Sequence, residues 1–289
     1  MECDKAPPIQ TDPIGTEESQ PQRLQAHRRS YAEHITALAG LTPSIGMGRE
    51  IADALASIPR ERFVSPPPWR IVSPRGDTLT VSCDLAVLYQ NVLVPLGAGF
   101  GLNNGQPSLH ATCLNALAPG KGERAVHVGA GTGYYTAVLA MLVGETGRVD
   151  AYEIEPELAR QATANLAEFP QVAVHSRSGA EGPLPDCDLL YVNAAAAEPL
   201  AIWLDALHPE GQAGQMLLAT RKADNSYAAR FLCSVRFVAC VGAQNAQAER
   251  VLDAAFRRGN WNQVRSLFRN DHPDESCWCA GNGWWLSTR

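Results

Sequence analysis

The sequence has 289 residues, of which 45% are hydrophobic and 19% charged, and a formal net charge of −6 at pH 7. That apolar share suits a folded domain with a real core, while the negative balance excludes a general nucleic-acid binder, whose phosphate contacts need a basic face. No run approaches the ~18 apolar residues of a membrane helix, and the polar, proline-rich start has no signal-peptide pattern, so a cytoplasmic protein without membrane contact is expected.

Residues 1–25 combine prolines, acids and glutamines without a hydrophobic period and read as a flexible arm. Between 30 and 57, the spacing of Ile35, Leu38, Leu41, then Ile51, Ala54, Leu55 and Ile58 predicts two helices, the second ended by Pro59. The prolines at 66–68 remove three successive backbone donors, so 63–69 is read as a rigid loop that places Trp69. Residues 85–93 suit a helix or a short strand. A loop rich in glycine and asparagine follows, with Gly101, Asn103, Asn104 and Gly105, and Pro107 then opens a helix through 117.

From Arg124 the rhythm turns to alternating strand and helix. Strands are predicted at 125–128, 149–152, 172–175, 189–192 and 216–219, and helices at 134–143, 156–168 and 200–207. Such alternation predicts an α/β fold with a Rossmann-like, doubly wound, mostly parallel sheet, preceded by an N-terminal helical extension and followed by a C-terminal appendage. In that appendage 231–241 reads as a strand and 245–256 as a helix. The tail 261–289 is left unassigned, with Trp278, Trp284 and Trp285 expected to close the core or cover a pocket. Cys277 and Cys279 with His272 make a poor zinc site because no second cysteine pair exists, so no metal is expected. The eight cysteines are scattered through apolar stretches, which suggests reduced thiols.

The predicted strand at 125–128 runs through His127 and Val128 into Gly129-Ala130-Gly131-Thr132-Gly133 and then into a helix beginning at Tyr134. Glycines are wanted where a chain turns sharply with its backbone against a ligand, and helix N-terminal amides favour an anionic group. Glu153 ends the next strand, where an acid accepts both hydroxyls of a ribose. A nicotinamide dinucleotide would ask for G-x-G-x-x-G. Here the third glycine comes one place early, which favours S-adenosylmethionine as the cofactor.

The chain resembles class I methyltransferases, specifically the protein-L-isoaspartate O-methyltransferase family, over about 57–219. The resemblance rests on Ile58-Pro59-Arg60-Glu61-Arg62-Phe63-Val64, on Gln106-Pro107, on Gly129 to Thr136 with Ala137-Val138-Leu139-Ala140, and on Val192-Asn193-Ala194-Ala195-Ala196 followed by Pro199. It implies a substrate loop at Asn103, Asn104 and Gln106. It also implies cofactor contacts from His127, Gly129, Ala130, Gly131, Thr132, Gly133, Tyr134, Glu153, Ser178, Gly179 and Asn193. His127 is read either as a satisfied histidine or as a cofactor contact, since the family often has an acid there. Two departures stand out. The family's threonine-x-serine before Gln-Pro is Asn103-Asn104-Gly105 here, and its Asp-Gly after the third strand is Ser178-Gly179. The substrate site is therefore read as rebuilt. The organisation expected is an arm at 1–29, a helical and substrate-loop region at 30–118, a cofactor-binding core at 119–241 and a C-terminal helix with tail at 242–289.

Methyl transfer from a sulfonium to a carboxylate needs alignment and exclusion of water more than acid–base help. The amides of Asn103, Asn104 and Gln106 are the residues expected to orient such an acceptor. Ser108, His110 and Tyr135 are secondary candidates. The leading expectation is O-methylation of a carboxylate on a peptide or small molecule. N-methylation, cyclisation of the cofactor's aminobutyryl chain, or an inactive adaptor are the alternatives, and no oligomeric state is expected from the sequence.

Overall fold

The computed structural model describes residues 20–72, 79–97, 101–214, 217–233 and 238–289. Two compact units divide the chain, Met1–Ala111 and Thr112–Arg289. The division falls inside a helix. Among the described residues no helix is long and apolar enough to cross a membrane.

The first unit begins with helices α1 (Gln20–Leu38) and α2 (Gly46–Ser57). Helix α1 starts within the segment expected to be a flexible arm; residues 1–19 lie outside the described residues. Ile35 and Tyr31 of α1 and Ile51, Leu55 and Ile58 of or next to α2 are buried, as their spacing requires. A single 3-10 turn, Arg60–Phe63, follows Pro59. Arg60 is fully buried, and its guanidinium donates to the carbonyls of Leu88, Gln90 and Val92. A buried cation is tolerated only when so bonded, and here it pins the chain that leads to the asparagine loop. Strands β1 (Trp69–Val72) and β2 (Leu79–Ser82) pair antiparallel. Residues 85–93 form a 3-10 turn at Leu85–Leu88, capped by Asp84, and then a single bridge from Leu93 to Val72. Helix α3 (Pro107–Leu117) spans the division between the units.

The second unit carries β3 (Arg124–Val128), α4 (Tyr134–Val143), β4 (Arg148–Glu153), α5 (Pro156–Asn165), β5 (Val172–Ser176), β6 (Cys187–Val192), α6 (Ala201–Ala206) and β7 (Leu207–Gly214). It continues with β8 (Leu217–Arg221), β9 (Tyr227–Phe231), α7 (Ala246–Arg258), β10 (Ser266–Arg269), β11 (Cys277–Gly281) and β12 (Trp284–Ser287). The strand order is β11-β12-β10-β9-β8-β7-β6-β3-β4-β5. Pairing is parallel from β5 to β7 and antiparallel from β7 onward. The expected Rossmann-like alternation is thus the parallel half, and the expectation of a mostly parallel sheet holds for that half alone. The link from β7 to β8 is too short for a crossover, so those strands must run antiparallel.

One expectation about the C-terminal part is corrected, and the unassigned tail gains its structure. Residues 231–241 are not one strand: β9 ends at Phe231, residues 234–237 lie outside the described residues, and 238–241 make a single bridge from Ala239 to Ala195. The unassigned tail is sheet, since β10, β12 and β11 extend it through a hairpin turning at Gly283. One hydrophobic core runs beneath both halves and includes Val126, Leu190, Trp203, Tyr227, Leu267 and Trp284. Helix α7 is capped by Asn245, whose side-chain oxygen accepts the amides of Gln247 and Ala248. Cys83 takes part in a disulfide, against the expectation of reduced thiols; Cys113, Cys187, Cys233, Cys240, Cys277 and Cys279 are free.

Candidate functional site

The chain leaves β3 in one direction to build β4 and β5, and places β6 and β7 on the other side of β3. Open α/β sheets bind ligands at such a reversal, beyond the carboxyl ends of the strands. Gly129 follows β3 there and Asn193 follows β6, and the Asn193 amide donates to the Val128 carbonyl at 2.7 Å. Gly129, Gly131 and Gly133 have φ of 80°, 57° and 96°, a region that glycine alone enters freely. A Cβ on Gly129 would lie 3.1 Å from the Asn193 carbonyl oxygen, and one on Gly133 would lie 2.8 Å from Leu166 Cδ1. Asn165 holds the other side of the loop by donating to the Thr132 carbonyl at 2.9 Å.

The amides of this loop are largely spent on the protein. Those of Gly129 and Ala130 both donate to the Tyr152 carbonyl, at 2.9 and 3.1 Å, and that of Gly131 donates to Glu153 Oε2 at 2.6 Å. These three amides shape the turn. Glu153 Oε1 accepts the Glu155 amide at 3.0 Å. Both carboxylate oxygens thus already accept backbone amides, and each oxygen offers two acceptor directions. Glu153 is 7% exposed. Burial pushes its carboxyl above the ordinary value, against the lowering effect of the amides of Glu155, Gly131 and Ile154.

His127 is fully buried, stacked on Tyr191 with ring centroids 5.4 Å apart. Its Nδ1 lies 2.8 Å from Thr136 Oγ1 and its Nε2 2.7 Å from Asn193 Nδ2. Burial drives its pKa down to about 3, so the ring is neutral. Both ring nitrogens are thus engaged by protein, and Nε2 meets the Asn193 side chain. Asn193 Oδ1 is buried and has no hydrogen-bond partner in the protein. An unpaired buried acceptor is costly unless a donor arrives, which fits a ligand carrying an amine or hydroxyl at this crevice. With the glycine turn and the Glu153 carboxylate, the residues present fit the nucleoside of S-adenosylmethionine.

Ser178 and Gly179 follow β5 and pack against the neighbouring chain. The Ser178 hydroxyl donates to the Val241 carbonyl at 2.8 Å and accepts the Ala180 amide at 3.1 Å. Gly179 passes so close to β3 and β4 that a Cβ would sit 2.6 Å from Val128 Cγ2 and 3.2 Å from Tyr152 Cβ. Tyr134 and Tyr135 are buried, their rings edge to face at 5.0 Å, and Thr132 is buried with them.

The asparagine loop belongs to the first unit. Asn103 Oδ1 accepts the Gly105 amide at 2.9 Å, a local turn bond. Asn104 is 7% exposed; its backbone amide donates to the Val94 carbonyl and its Oδ1 accepts the Val94 amide, both at 2.9 Å, while Nδ2 is buried without a partner. Gln106 Nε2 donates to Ser108 Oγ at 3.0 Å. Gly105 has φ of 74°, and a Cβ there would lie 2.0 Å from His110 Nε2. The buried imidazole therefore fills the space beside Gly105.

Sequence reasoning missed Glu198 and the segment 238–243. Glu198 accepts from Asn245 Nδ2 at 2.9 Å and from Trp284 Nε1 at 3.0 Å. A lone acid before Pro199 carries no signal of such distant partners.

The family profile described as protein-L-isoaspartate(D-aspartate) O-methyltransferase matches residues 43–245. A protein-L-isoaspartate O-methyltransferase of Anaeromyxobacter is 32% identical over 228 residues, covering 74% of this chain and 83% of the relative. One of Roseiflexus is 30% identical over 232 residues, covering 76% and 97%. Among solved structures, a protein-L-isoaspartate O-methyltransferase superposes with a TM-score of 0.59 at 21% identity, covering 83% of this chain and 72% of the other. A Plasmodium falciparum protein described as a putative enzyme of the same name, in complex with S-adenosyl-L-homocysteine, gives 0.56 at 16% identity, covering 74% and 98%. These two share the fold. The chain belongs to the protein-L-isoaspartate(D-aspartate) O-methyltransferase family, whose members are methyltransferases that use S-adenosylmethionine.

Proposed function

We propose that the protein transfers the cofactor's methyl group to a carboxylate carried on a peptide, an isoaspartyl side chain being the first acceptor to test. The observation that carries this reading is Asn104, whose buried amide Nδ2 has no partner in the loop just before Gln106-Pro107. A buried donor left unpaired is costly, and a carboxylate oxygen is the acceptor that best repays it. Asn103 and Gln106 are proposed to shape that loop around the acceptor.

The bound cofactor supplies an electrophilic methyl on a sulfonium. Glu153 would hold the ribose hydroxyls, the turn at Gly129, Gly131 and Gly133 lets the backbone come close to the nucleoside, and Asn193 Oδ1 would accept one further donor. The acceptor carboxylate is ionised at neutral pH, so no general base is required. The part of the residues is to hold that carboxylate in line with the methyl and to exclude water, with no proton to move. The neutral His127 accordingly takes no part in proton transfer.

The test is to incubate the protein with S-adenosylmethionine, with and without an isoaspartyl peptide, and to follow S-adenosylhomocysteine, methylthioadenosine and peptide mass. Peptide-dependent S-adenosylhomocysteine with a gain of one methyl supports the proposal. Methylthioadenosine formed without acceptor would replace it with cyclisation. Methyl transfer to an amine but not to the isoaspartyl peptide would replace it with N-methylation.

A further inference from the structure

The segment 238–243, whose first four residues end the stretch expected to be a strand, is held on two sides. Towards β6, the Ala195 amide donates to the Val238 carbonyl and the Cys240 amide donates to the Ala195 carbonyl, both at 2.7 Å. Towards β5, the Val241 carbonyl accepts the Ser178 hydroxyl at 2.8 Å. Gly242, with φ of 90°, passes Ala180 so closely that a Cβ would lie 3.3 Å from that residue's Cβ. In the sheet, β3 and β4 lie between β6 and β5. A segment bonded to the loops after both outer strands therefore bridges the side of the sheet where Gly129 and Glu153 end the inner two. Cys240 and Ala243 are buried. Burial raises the Cys240 thiol's pKa, and the charge of Glu153 adds to the rise.

The far end of this bridge is fastened by a single carboxylate. Glu198 Oε1 takes Asn245 Nδ2 and Oε2 takes Trp284 Nε1. Asn245 also caps α7 through its oxygen, and Trp284 lies in the last strand. The loop after β6, the bridge and the C-terminal strands are thereby joined at one residue.

We propose that residues 238–243 form the outer wall of the cofactor cleft, and that Glu198 is the positioning residue that sets this wall, and hence cofactor affinity, from the C-terminal strands. The proposal rests on the cofactor reading of the crevice at Gly129 and Glu153. Two charge-assisted hydrogen bonds meet on Glu198, and their loss lets the wall shift without touching any group that contacts the nucleoside.

The test is S-adenosylhomocysteine binding by calorimetry on the full chain, with Glu198→Ala, Glu198→Gln, Trp284→Phe, Gly242→Ala and, as a control of the cofactor site itself, Glu153→Ala. Alkylation of Cys240 with iodoacetamide, mapped by peptide mass, is followed with and without the ligand. Glu198→Ala should weaken binding roughly tenfold and raise the cofactor KM with kcat and the acceptor KM unmoved. Glu198→Gln should restore part of the affinity because it keeps one acceptor. Gly242→Ala should weaken binding through strain at its positive φ. Ligand should protect Cys240 in the wild type and protect it less in Glu198→Ala. Should Glu198→Ala fail to fold, Trp284→Phe and Gly242→Ala carry the same readouts. If Glu153→Ala loses binding while the other variants bind like wild type, and Cys240 reacts alike with and without ligand, the wall proposal is overturned and the cofactor site stands. If Glu153→Ala binds like wild type, the reading of the site falls, and the wall with it.

Discussion

Glu153 Oε2 accepts the backbone amide of Gly131 at 2.6 Å, so the acid that ends β4 also holds the turn that follows β3. Replacing it removes the proposed ribose acceptor and the anchor of the loop in one change. Glu153→Ala should weaken S-adenosylhomocysteine binding about a hundredfold, and calorimetry reads this directly.

The same carboxyl is pushed up by burial, and only its ionised form can accept two hydroxyls. The sign follows: cofactor affinity is constant where Glu153 is ionised and falls as pH drops through its folded-state value, which lies above the ordinary 4.5. Measuring Kd for S-adenosylhomocysteine from pH 8 downward should show this loss beginning at a higher pH than an exposed glutamate would give.

His127 is neutral, with a pKa near 3 against the ordinary 6.5. The folded state therefore binds fewer protons than the unfolded state between these values, so stability is fully present above pH 6.5 and declines as pH falls towards 3. Its ring resonances should not titrate between pH 5 and 8 by NMR. His127→Leu strands Thr136 and the Asn193 side chain and should cost about 2–4 kcal/mol in denaturant unfolding.

Gly179 leaves no room for a methyl group against Val128 and Tyr152, and Val128 is β-branched and cannot turn aside easily. Gly179→Ala should lower stability by about 1–3 kcal/mol, visible as a reduced urea midpoint with an unchanged slope.

Gly105 and His110 form a pair that a double-mutant cycle can separate. Gly105→Ser introduces a Cβ 2.0 Å from His110 Nε2 at a φ of 74° and should destabilise by about 1–3 kcal/mol. Adding His110→Ala should recover part of that loss, giving a coupling energy above about 0.5 kcal/mol. Strict additivity would show that the imidazole does not occupy the space.

The parallel half of the sheet was legible because strands buried on both faces read as short apolar runs. Residues 125–128 and 189–192 are such runs, and the glycines after Val128 punctuate the first. The antiparallel half was not. Strand β9 carries alanines and an arginine, and β12 packs its tryptophans on two faces, so neither shows a clean alternation. Residues 231–241 have strand composition, yet Ala239 finds its partner at Ala195, a pairing that local pattern does not encode. At the site, the spacing of Gly129, Gly131, Gly133 and Glu153 marked the turn. It did not reveal that the Tyr152 carbonyl consumes two of the loop's amides, nor that both nitrogens of His127 face protein. Such facts depend on which strands become neighbours.

The bond from Trp284 to Glu198 joins positions 86 residues apart. Synthesis proceeds from the N-terminus, and segments fold as their partners emerge. The parallel strands and the glycine turn can assemble on the ribosome before Trp284 exists, but Glu198 acquires its second donor only once that residue has left the exit tunnel. A nascent chain stalled short of that point would therefore hold a finished turn and an unfastened loop after β6.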